Sequence, residues 1–237
     1  MEIELALFKS MIVDVIIPAY NEEDSIGKVI NDIPEGLVRE VIVCNNNSKD
    51  KTREVAMACG ATVVDVPQMG YGSACLAGME YITKKLKVPE VIVFIDGDYS
   101  DYPGEMPLLT ECLKKTDSDL VIGSRALGNM ERGSMQPQQI FGNWLATTLI
   151  KLIYNHRYTD LGPFRAVKYD SLMALDMEDT DFGWTVEMQV KAAKKGYKTQ
   201  EVPVTYRRRI GISKISGTIK GTVLAGHKIL WTIFKLL

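Results

Sequence analysis

Two aspartates one residue apart, Asp96 and Asp98, directly follow an unbroken apolar run, Val91 to Ile95. The run is rich in β-branched residues and bounded by turn formers, which predicts a strand buried on both faces. Ligands of open α/β sheets bind at the carboxyl ends of the strands, so these carboxylates are suited to hold Mg²⁺ or Mn²⁺ with a phosphate. Gly97 leaves room for a ligand or a tight turn. The same residues also suit a plain strand-to-turn junction.

A second chemical signal is a dense basic stretch near the carboxyl end. Three arginines, Arg207 to Arg209, are followed by Gly211, Ser213 and Lys214. Guanidinium groups bind phosphate oxygens in a bidentate manner, and glycine and serine allow the backbone to approach an anion. The pattern favours a phosphate clamp over a solvated basic turn.

Bulk composition narrows the class of protein. The chain has 237 residues, of which 46% are hydrophobic and 24% charged, as in ordinary globular proteins, and its net charge of −2 gives no electrostatic case for binding nucleic acid. Four cysteines without a Cys-x-x-Cys pair indicate reduced core thiols. Charged residues within the first eleven positions argue against a secretory signal. We therefore expect a cytoplasmic protein, whose only membrane contact would be peripheral, at the inner face.

The first hundred residues predict the scaffold for these side chains. Strand patterns at 12–17, 38–44, 61–66 and 91–95 alternate with helical patterns. Such alternation indicates an α/β fold with a mostly parallel central sheet flanked by helices. It also brings four polar loops to one sheet edge, around Asn21, Asn46, Tyr71 and Asp98.

The loop Gly70-Tyr71-Gly72 does not make a dinucleotide-binding site. The next glycine is Gly78, so the Gly-x-Gly-x-x-Gly spacing is absent, and the loop follows the third strand instead of the first. Two interpretations stay open: a turn that glycine permits, and a close approach of the backbone to a ligand.

The second half predicts fewer and less regular elements. A helix is expected at 105–115, a strand at 119–123, a long loop and mobile lid at 127–139, a helix at 141–153, a helix from about 185 and a strand at 198–204. The tail, 217–237, is apolar but carries charges, which predicts an amphipathic helix that docks on this chain, on a second copy or on a membrane.

Seven motifs, in order, resemble those of the family 2 glycosyltransferases of GT-A fold, in the branch of the dolichol- and polyprenyl-phosphate sugar synthases. They cover nearly the whole chain from 13 to 217 and read VIIPAYNEEDSI, VIVCNNNSKDKT, MGYGSACLAGM, FIDGDYSDYP, VIGSR, DLGPFRA and VPVTYRRRIGISKISG. The resemblance implies a single Rossmann-like domain over 1–216, with a nucleotide-binding half at about 12–125 and an acceptor-binding half at about 126–216.

The resemblance also implies a UDP- or GDP-sugar donor and a divalent metal, Mg²⁺ or Mn²⁺. Carried over by position, the metal would lie at Asp96 and Asp98. The nucleotide would be lined by residues from four loops, namely Pro18, Ala19, Tyr20, Glu22, Asn45, Asn46, Gly70, Gly72, Asp96 and Gly97. Basic positions would meet phosphate groups, namely Arg125, Arg165, Arg209 and Lys214.

The acceptor decides whether the reaction needs a general base. A hydroxyl acceptor must lose a proton, and Asp160 and Glu187 are the candidate bases. An acceptor phosphate, as on a polyprenyl lipid, is already anionic and needs cations such as Arg125 and Arg165 instead. A polyprenyl phosphate, a glycan and a small metabolite all stay open as acceptors, and the resemblance implies inversion at the sugar carbon.

Two other functions compete with sugar transfer. A sugar nucleotidyltransferase would carry a glycine-rich basic signature near the amino terminus, where this chain has Pro18-Ala19-Tyr20-Asn21-Glu22. A non-catalytic nucleotide-sugar-binding subunit would have no need of Asp96, Asp98, Arg209 and Lys214 together. The sequence therefore favours a metal-dependent inverting glycosyltransferase.

Overall fold

The computed structural model describes residues 11–211 and 219–237, with the backbone alone for 219–223. Its strands are β1 (Val13–Ala19), β2 (Glu40–Asn45), β3 (Thr62–Asp65), β4 (Val91–Phe94), β5 (Leu120–Ser124), β6 (Arg165–Lys168) and β7 (Thr199–Pro203). Its α-helices are α1 (Ile26–Asn31), α2 (Thr52–Ala58), α3 (Tyr71–Thr83), α4 (Met106–Thr116), α5 (Pro137–Tyr154), α6 (Tyr169–Ala174), α7 (Trp184–Lys194) and α8 (Ile219–Lys235), and a short 3-10 helix at Pro103–Glu105 precedes α4.

The described strands form one seven-stranded sheet in the order β3-β2-β1-β4-β6-β5-β7. The alternation of strands and helices makes every pairing among β1 to β4 parallel, as predicted. Strand β6 runs antiparallel to both neighbours, with Arg165 opposite Phe94 and Ile122. Its first residue therefore lies at the same edge as the ends of β4 and β5, and the loop before it reaches the polar edge of the sheet.

Helices cover both faces of this sheet, and the strands are correspondingly apolar. All seven residues of β1 are buried, as are all four of β4. On one face Ile16 and Phe94 pack with Trp184, and on the other Ile17 and Val93 pack with residues such as Phe164. A sheet buried on both faces confirms the interpretation of the short apolar runs as central strands.

Several details differ from the sequence-based expectation, including the start of α5 at Pro137, within the stretch 127–139 that was expected to be a loop. The prediction that Pro18 ends the first strand was wrong, because β1 continues to Ala19. The ladder between β1 and β4 ends at Ile16 and Phe94, so the missing N–H of Pro18 removes no bond to β4. The short helix α6 was not predicted, since six residues carry too little periodicity. All four cysteines are free thiols, as expected, but only Cys44 and Cys75 are fully buried in the core.

Candidate active site

Loops from the carboxyl ends of β1, β2 and β4 and the amino end of α3 enclose a cavity of about 400 Å³. Parallel strands bring these loops together because their carboxyl ends share one edge. The lining consists of Pro18, Ala19, Tyr20, Glu22, Asn46, Met69, Gly70, Tyr71, Ala74, Asp96, Gly97, Asp98, Asp181, Phe182 and Arg209. Most of the predicted nucleotide-binding residues are thus neighbours in space.

The carboxylates of Asp96 and Asp98 follow β4 directly. One oxygen of Asp98 accepts hydrogen bonds from the backbone N–H of Ser100, at 2.9 Å, and from its hydroxyl, at 2.5 Å. These bonds fix the orientation of a side chain that is only 11% exposed. A Cβ on Gly97 would come within 3.3 Å of the Pro18 carbonyl oxygen, so glycine lets β4 turn tightly against the end of β1.

Asp96 lies in an electrostatically unfavourable position. The hydroxyl of Tyr71 donates to its Oδ1 at 3.0 Å. Burial, followed by the charge of Asp98, nevertheless raises the pKa of Asp96 to about 6. A cation between the two carboxylates would relieve this repulsion.

Arg209 already supplies one positive charge at this place. One terminal nitrogen of its guanidinium lies 3.2 Å from Asp98 Oδ2, and the other donates to Glu22 Oε1 at 2.7 Å. The backbone N–H of Ile210 donates to the Asp98 carbonyl at 3.0 Å. The basic stretch predicted from the sequence therefore contacts Asp98 through Arg209 and Ile210. Lys214 lies outside the described residues.

Neighbouring contacts anchor the basic stretch. The guanidinium of Arg207 lies 3.3 Å from the ring centre of Tyr99 and 4.0 Å from that of Tyr102. Its Nε donates to the Tyr99 carbonyl at 2.6 Å. Arg208, by contrast, points outward and donates to the Arg132 carbonyl. Of the three arginines, Arg209 is the one whose side chain reaches the cavity.

The carboxylate pair fits a divalent metal shared with a substrate. Asp96 and Asp98 supply hard oxygen ligands, and across the parts of the chain that are described no group of three or more metal-binding side chains occurs. Mg²⁺ in phosphate-binding sites is held in the same way, by one or two carboxylates with phosphate oxygens and water.

The side-chain amides of Asn45 and Asn46 are both hydrogen-bonded to other parts of the chain. Asn46 donates to the carbonyls of Val66 and Gln68 and accepts from the N–H of Gly70 at 2.8 Å. Asn45 donates to Asp65 at 2.9 Å and does not line the cavity. Asn46 therefore ties the ends of β2 and β3 to the start of α3.

The two glycines of this loop fit against a distant part of the chain. A Cβ on Gly70, whose φ is +139°, would come 2.1 Å from the Thr180 carbonyl oxygen, and one on Gly72 would come 1.9 Å from that of Asp179. The requirement for glycine thus comes from the chain itself. Residues 179–182 form the wall that faces the loop, with Asp181 and Phe182 lining the cavity. Sequence reasoning missed this wall, because more than a hundred residues separate the two segments.

The candidate base Asp160 is fully committed to Arg125. Its oxygens accept from Nε and Nη2 of Arg125 at 2.8 and 2.7 Å, and its side chain is 1% exposed. Burial acts to lower the pKa of Arg125, but the charge and hydrogen bonds of Asp160 raise it above its usual value. Neither residue lines the cavity. The two residues therefore form a buried ion pair outside the lining of the cavity.

Glu187 and Arg165 also have structural partners. Glu187, 3% exposed, accepts from the backbone N–H groups of Glu178 and Asp179 and pairs with Lys191 at 2.8 Å. Arg165 is fully buried and donates to the carbonyls of Leu161, Gly162 and Thr185. The structure therefore places them as supports for the loops, away from the lining of the cavity.

Asp101 is a buried carboxylate that sequence reasoning did not select. It is 1% exposed, and neither oxygen has a hydrogen-bond partner among the residues that the structure describes. Burial, followed by the charge of Asp96, raises its pKa well above the usual range for aspartate. The DYSDYP run contained it, but no spacing rule marks a buried, unpaired acid.

The carboxyl-terminal helix α8 docks on this chain, as one of the expected alternatives proposed. Thr232 and Ile233 are buried, and the Tyr154 hydroxyl of α5 donates to the Ile233 carbonyl. Its other face leaves Trp231 and Phe234 about half exposed. Within 11–211 and 219–237, no helix has the length and apolarity needed to cross a bilayer.

Comparisons with known proteins identify the family of this chain. The family model described as glycosyl transferase family 2 matches residues 14–176. An uncharacterized glycosyltransferase of Mycobacterium tuberculosis is 34% identical over 216 residues, which cover 90% of this chain and 94% of the relative. The undecaprenyl-phosphate mannosyltransferase of Micrococcus luteus is 30% identical over 221 residues, which cover 87% of this chain and 88% of the relative.

A solved structure shares the fold. Glucosyl-3-phosphoglycerate synthase from Mycobacterium tuberculosis, in complex with Mn²⁺, UDP and phosphoglyceric acid, aligns with a TM-score of 0.77 at 21% sequence identity. The alignment covers 98% of this chain and 80% of that one. This likeness confirms the expected GT-A fold.

Proposed function

This chain belongs to glycosyl transferase family 2, and we propose that it transfers a sugar from a UDP- or GDP-sugar to an anionic phosphate acceptor with the help of Mg²⁺ or Mn²⁺. The observation that carries the proposal is the pair Asp96 and Asp98 in the lining of the cavity, with the guanidinium of Arg209 beside them and 3.2 Å from Asp98 Oδ2. Glu22, Asp96 and Asp98 line this cavity with Arg209 as their nearest cation among the described residues, so the site has excess negative charge that suits a divalent metal, and the metal in turn suits a diphosphate.

The residues suggest how the donor would be held. Asp96 and Asp98 would ligate the metal, which as a Lewis acid stabilises the nucleoside diphosphate leaving group. When the metal takes Asp98, the guanidinium of Arg209 is free to turn to a phosphate oxygen, where its charge-assisted hydrogen bonds are strong. Asn46, Gly70 and Tyr20 then lie where the nucleoside would enter.

The stereochemistry follows from the number of displacement steps. A single attack by the acceptor on the anomeric carbon, with loss of the nucleoside diphosphate, inverts that carbon. We expect inversion, and assignment of the product anomer by NMR tests it. A product that retains the donor configuration would contradict a single displacement.

The state of the candidate bases favours a phosphate acceptor. A hydroxyl acceptor needs a free carboxylate nearby, yet Asp160 is bound by Arg125, and Glu187 is bound by two backbone amides and Lys191. An anionic phosphate oxygen attacks without a base. The relative named as an undecaprenyl-phosphate mannosyltransferase makes a polyprenyl phosphate the first acceptor to test.

One observation favours a second candidate, transfer to a hydroxyl of a glycan or small molecule. Asp181 lines the cavity, and burial, followed by the charge of Asp179, raises its pKa, as suits a general base. Asp181→Asn should abolish transfer to a hydroxyl acceptor. The same variant should keep transfer to a phosphate acceptor.

A lipid acceptor also requires contact with a membrane, which we propose is peripheral. The amino-terminal half of α5 exposes Ile140, Phe141 and Trp144 by 49%, 60% and 58%, and the outer face of α8 exposes Trp231. Tryptophan, with an apolar ring and a polar N–H, is favoured at the membrane interface, and phenylalanine and isoleucine bury their apolar surface there.

Calorimetric titration with UDP and with GDP, each with and without Mn²⁺, tests the donor site. We expect one nucleotide to bind in a metal-dependent manner, and Asp98→Ala to lose that binding. Asp170→Ala, on an exposed residue of α6, is the matched control and should bind as the wild type does. If neither nucleotide binds the wild type, the proposed donor site is wrong.

A further inference from the structure

The wall of the cavity formed by residues 179–182 is supported from behind by the carboxyl-terminal helix. Asp181 and Phe182 line the cavity, whereas Asp179 lies outside the lining, with its Oδ2 3.0 Å from the ammonium of Lys228 on α8. We propose that Lys228 positions this wall through Asp179, so that α8 helps to set the shape of the donor site. The inference rests on the proposed function, because it concerns the shape of the donor cavity.

Asp179 has a distinct task for each of its oxygens. Oδ1 accepts the backbone N–H of Asp181 at 2.8 Å and so fixes the turn that aims Asp181 and Phe182. Oδ2 forms an ion pair with the ammonium of Lys228. The backbone N–H of Asp179 donates to Glu187 at 2.8 Å, which holds the turn at the start of α7. One carboxylate therefore links the shape of the wall to α8.

The wall is joined on its other side to the loop before α3. The carbonyl of Thr180 accepts from the backbone N–H of Ser73 at 2.9 Å and from its hydroxyl at 3.2 Å. Gly70 and Gly72 leave no room for a Cβ against this segment. A displacement of residues 179–180 would consequently move the loop that carries Gly70 and Tyr71, two residues of the lining.

The contact between the wall and α8 is closely packed. A Cβ on Gly183 would come 2.4 Å from both Asp179 Oδ2 and Thr232 Oγ1. Asp179 has a side chain only 8% exposed, while that of Lys228 is 36% exposed. The pair differs from an ordinary surface ion pair, because removal of the lysine would leave a buried carboxylate without its cation.

Nucleotide affinity is one measure of this support. For Lys228→Met we expect Mn²⁺-dependent binding of the nucleotide to weaken about fivefold to tenfold, or by about 1–1.4 kcal/mol, because the wall is then no longer held in the shape that binds the nucleotide. Lys228→Arg should restore binding. Asp179→Asn should weaken it similarly, and the double variant should be no worse than the single variants, as for two groups that act through one contact.

Lys235→Met is the matched control. Lys235 also lies on α8 and faces Glu178, but at 3.9 Å, and both side chains are more than half exposed. Such a pair contributes little, so this variant should bind nucleotide as the wild type does. Equal weakening in both variants would mean that α8 acts through its general charge, and the inference would be wrong.

Hydrogen exchange separates this inference from the proposed function. In Lys228→Met without nucleotide, the amides of Ser73 and Asp181 should exchange faster, while those of β1 keep their protection. Unchanged exchange at both amides would overturn the inference, whatever the wild type binds. Wild-type protein that binds neither UDP nor GDP, but shows faster exchange in the variant, would refute the donor site and support the positioning role of Lys228.

Discussion

Substitution of Arg209 by glutamine should change metal affinity and nucleotide affinity in opposite directions. In the wild type the guanidinium lies 3.2 Å from Asp98 Oδ2 and 2.7 Å from Glu22 Oε1. Without nucleotide, the arginine competes with a metal for Asp98. With nucleotide, the same charge would stabilise the diphosphate. Glutamine removes the charge and keeps much of the side-chain length.

The geometry sets the size of both effects. At 3.2 Å and an effective dielectric constant of about 20, the attraction between Arg209 and Asp98 is about 5 kcal/mol before the cost of desolvation is subtracted. Desolvation offsets most of this, and a hydrogen bond between charged groups contributes a net 1.5–3 kcal/mol, roughly. We therefore expect Arg209→Gln to bind Mn²⁺ alone about tenfold more tightly and the Mn²⁺-nucleotide pair about tenfold more weakly.

Calorimetric titration of Mn²⁺ alone, and then of nucleotide at saturating Mn²⁺, measures both effects. Arg208→Gln is the control, because Arg208 is 64% exposed and contacts Glu131 and Arg132 instead of the cavity. Mn²⁺ affinity that stays the same or falls in Arg209→Gln would refute the competition. Unchanged nucleotide affinity would refute the role at the diphosphate.

Three further predictions concern stability and membrane contact. Burial raises the pKa of Asp101 above the unfolded value of about 3.9. As the pH rises from that value towards the folded pKa, the wild type should lose stability relative to Asp101→Asn by about 1.4 kcal/mol for each pH unit. A difference between their free energies of unfolding in urea that stays constant from pH 5 to pH 7.5 would contradict this. Glu187→Gln should lower the free energy of unfolding by about 2 kcal/mol, since it removes the charge that three backbone hydrogen bonds and Lys191 share, and an unchanged urea midpoint would speak against it. Replacing Phe141 and Trp144 by serine should reduce sedimentation with anionic liposomes, whereas Leu86→Ser, at another exposed position, should not; equal sedimentation of both variants would exclude this face of α5.

Much of the fold could be predicted from short apolar runs. The strands at β1, β2, β3 and β4 were located within about two residues, because a parallel sheet covered on both faces needs continuous β-branched segments. The same alternation correctly placed Asn46 and Asp98 at one edge of the sheet. Local pattern suffices for these four strands because each is a continuous apolar segment and the helical crossovers between them make their pairings parallel.

The position of β6 in the sheet, and the partners of several site residues, depend on contacts between distant segments, which no local pattern contains. The insertion of β6 between β4 and β5 depends on which strand fills a gap in the sheet. The ion pair of Asp160 with Arg125 became visible only with their positions in space, since both residue types also suit catalysis. The wall at Asp181 could have been suspected from the two glycines that face it, but glycine does not identify its neighbour.

Sugar transfer itself is the most direct test of the account. The wild type and Asp98→Asn would be incubated with Mn²⁺, a polyprenyl phosphate and either UDP-sugars or GDP-sugars carrying a radiolabel in the sugar, and the label in the organic phase would be counted. We predict labelled lipid from one class of donor, dependent on Mn²⁺ and lost in Asp98→Asn. A wild type that binds its nucleotide with Mn²⁺ but labels no lipid would contradict transfer to a polyprenyl phosphate.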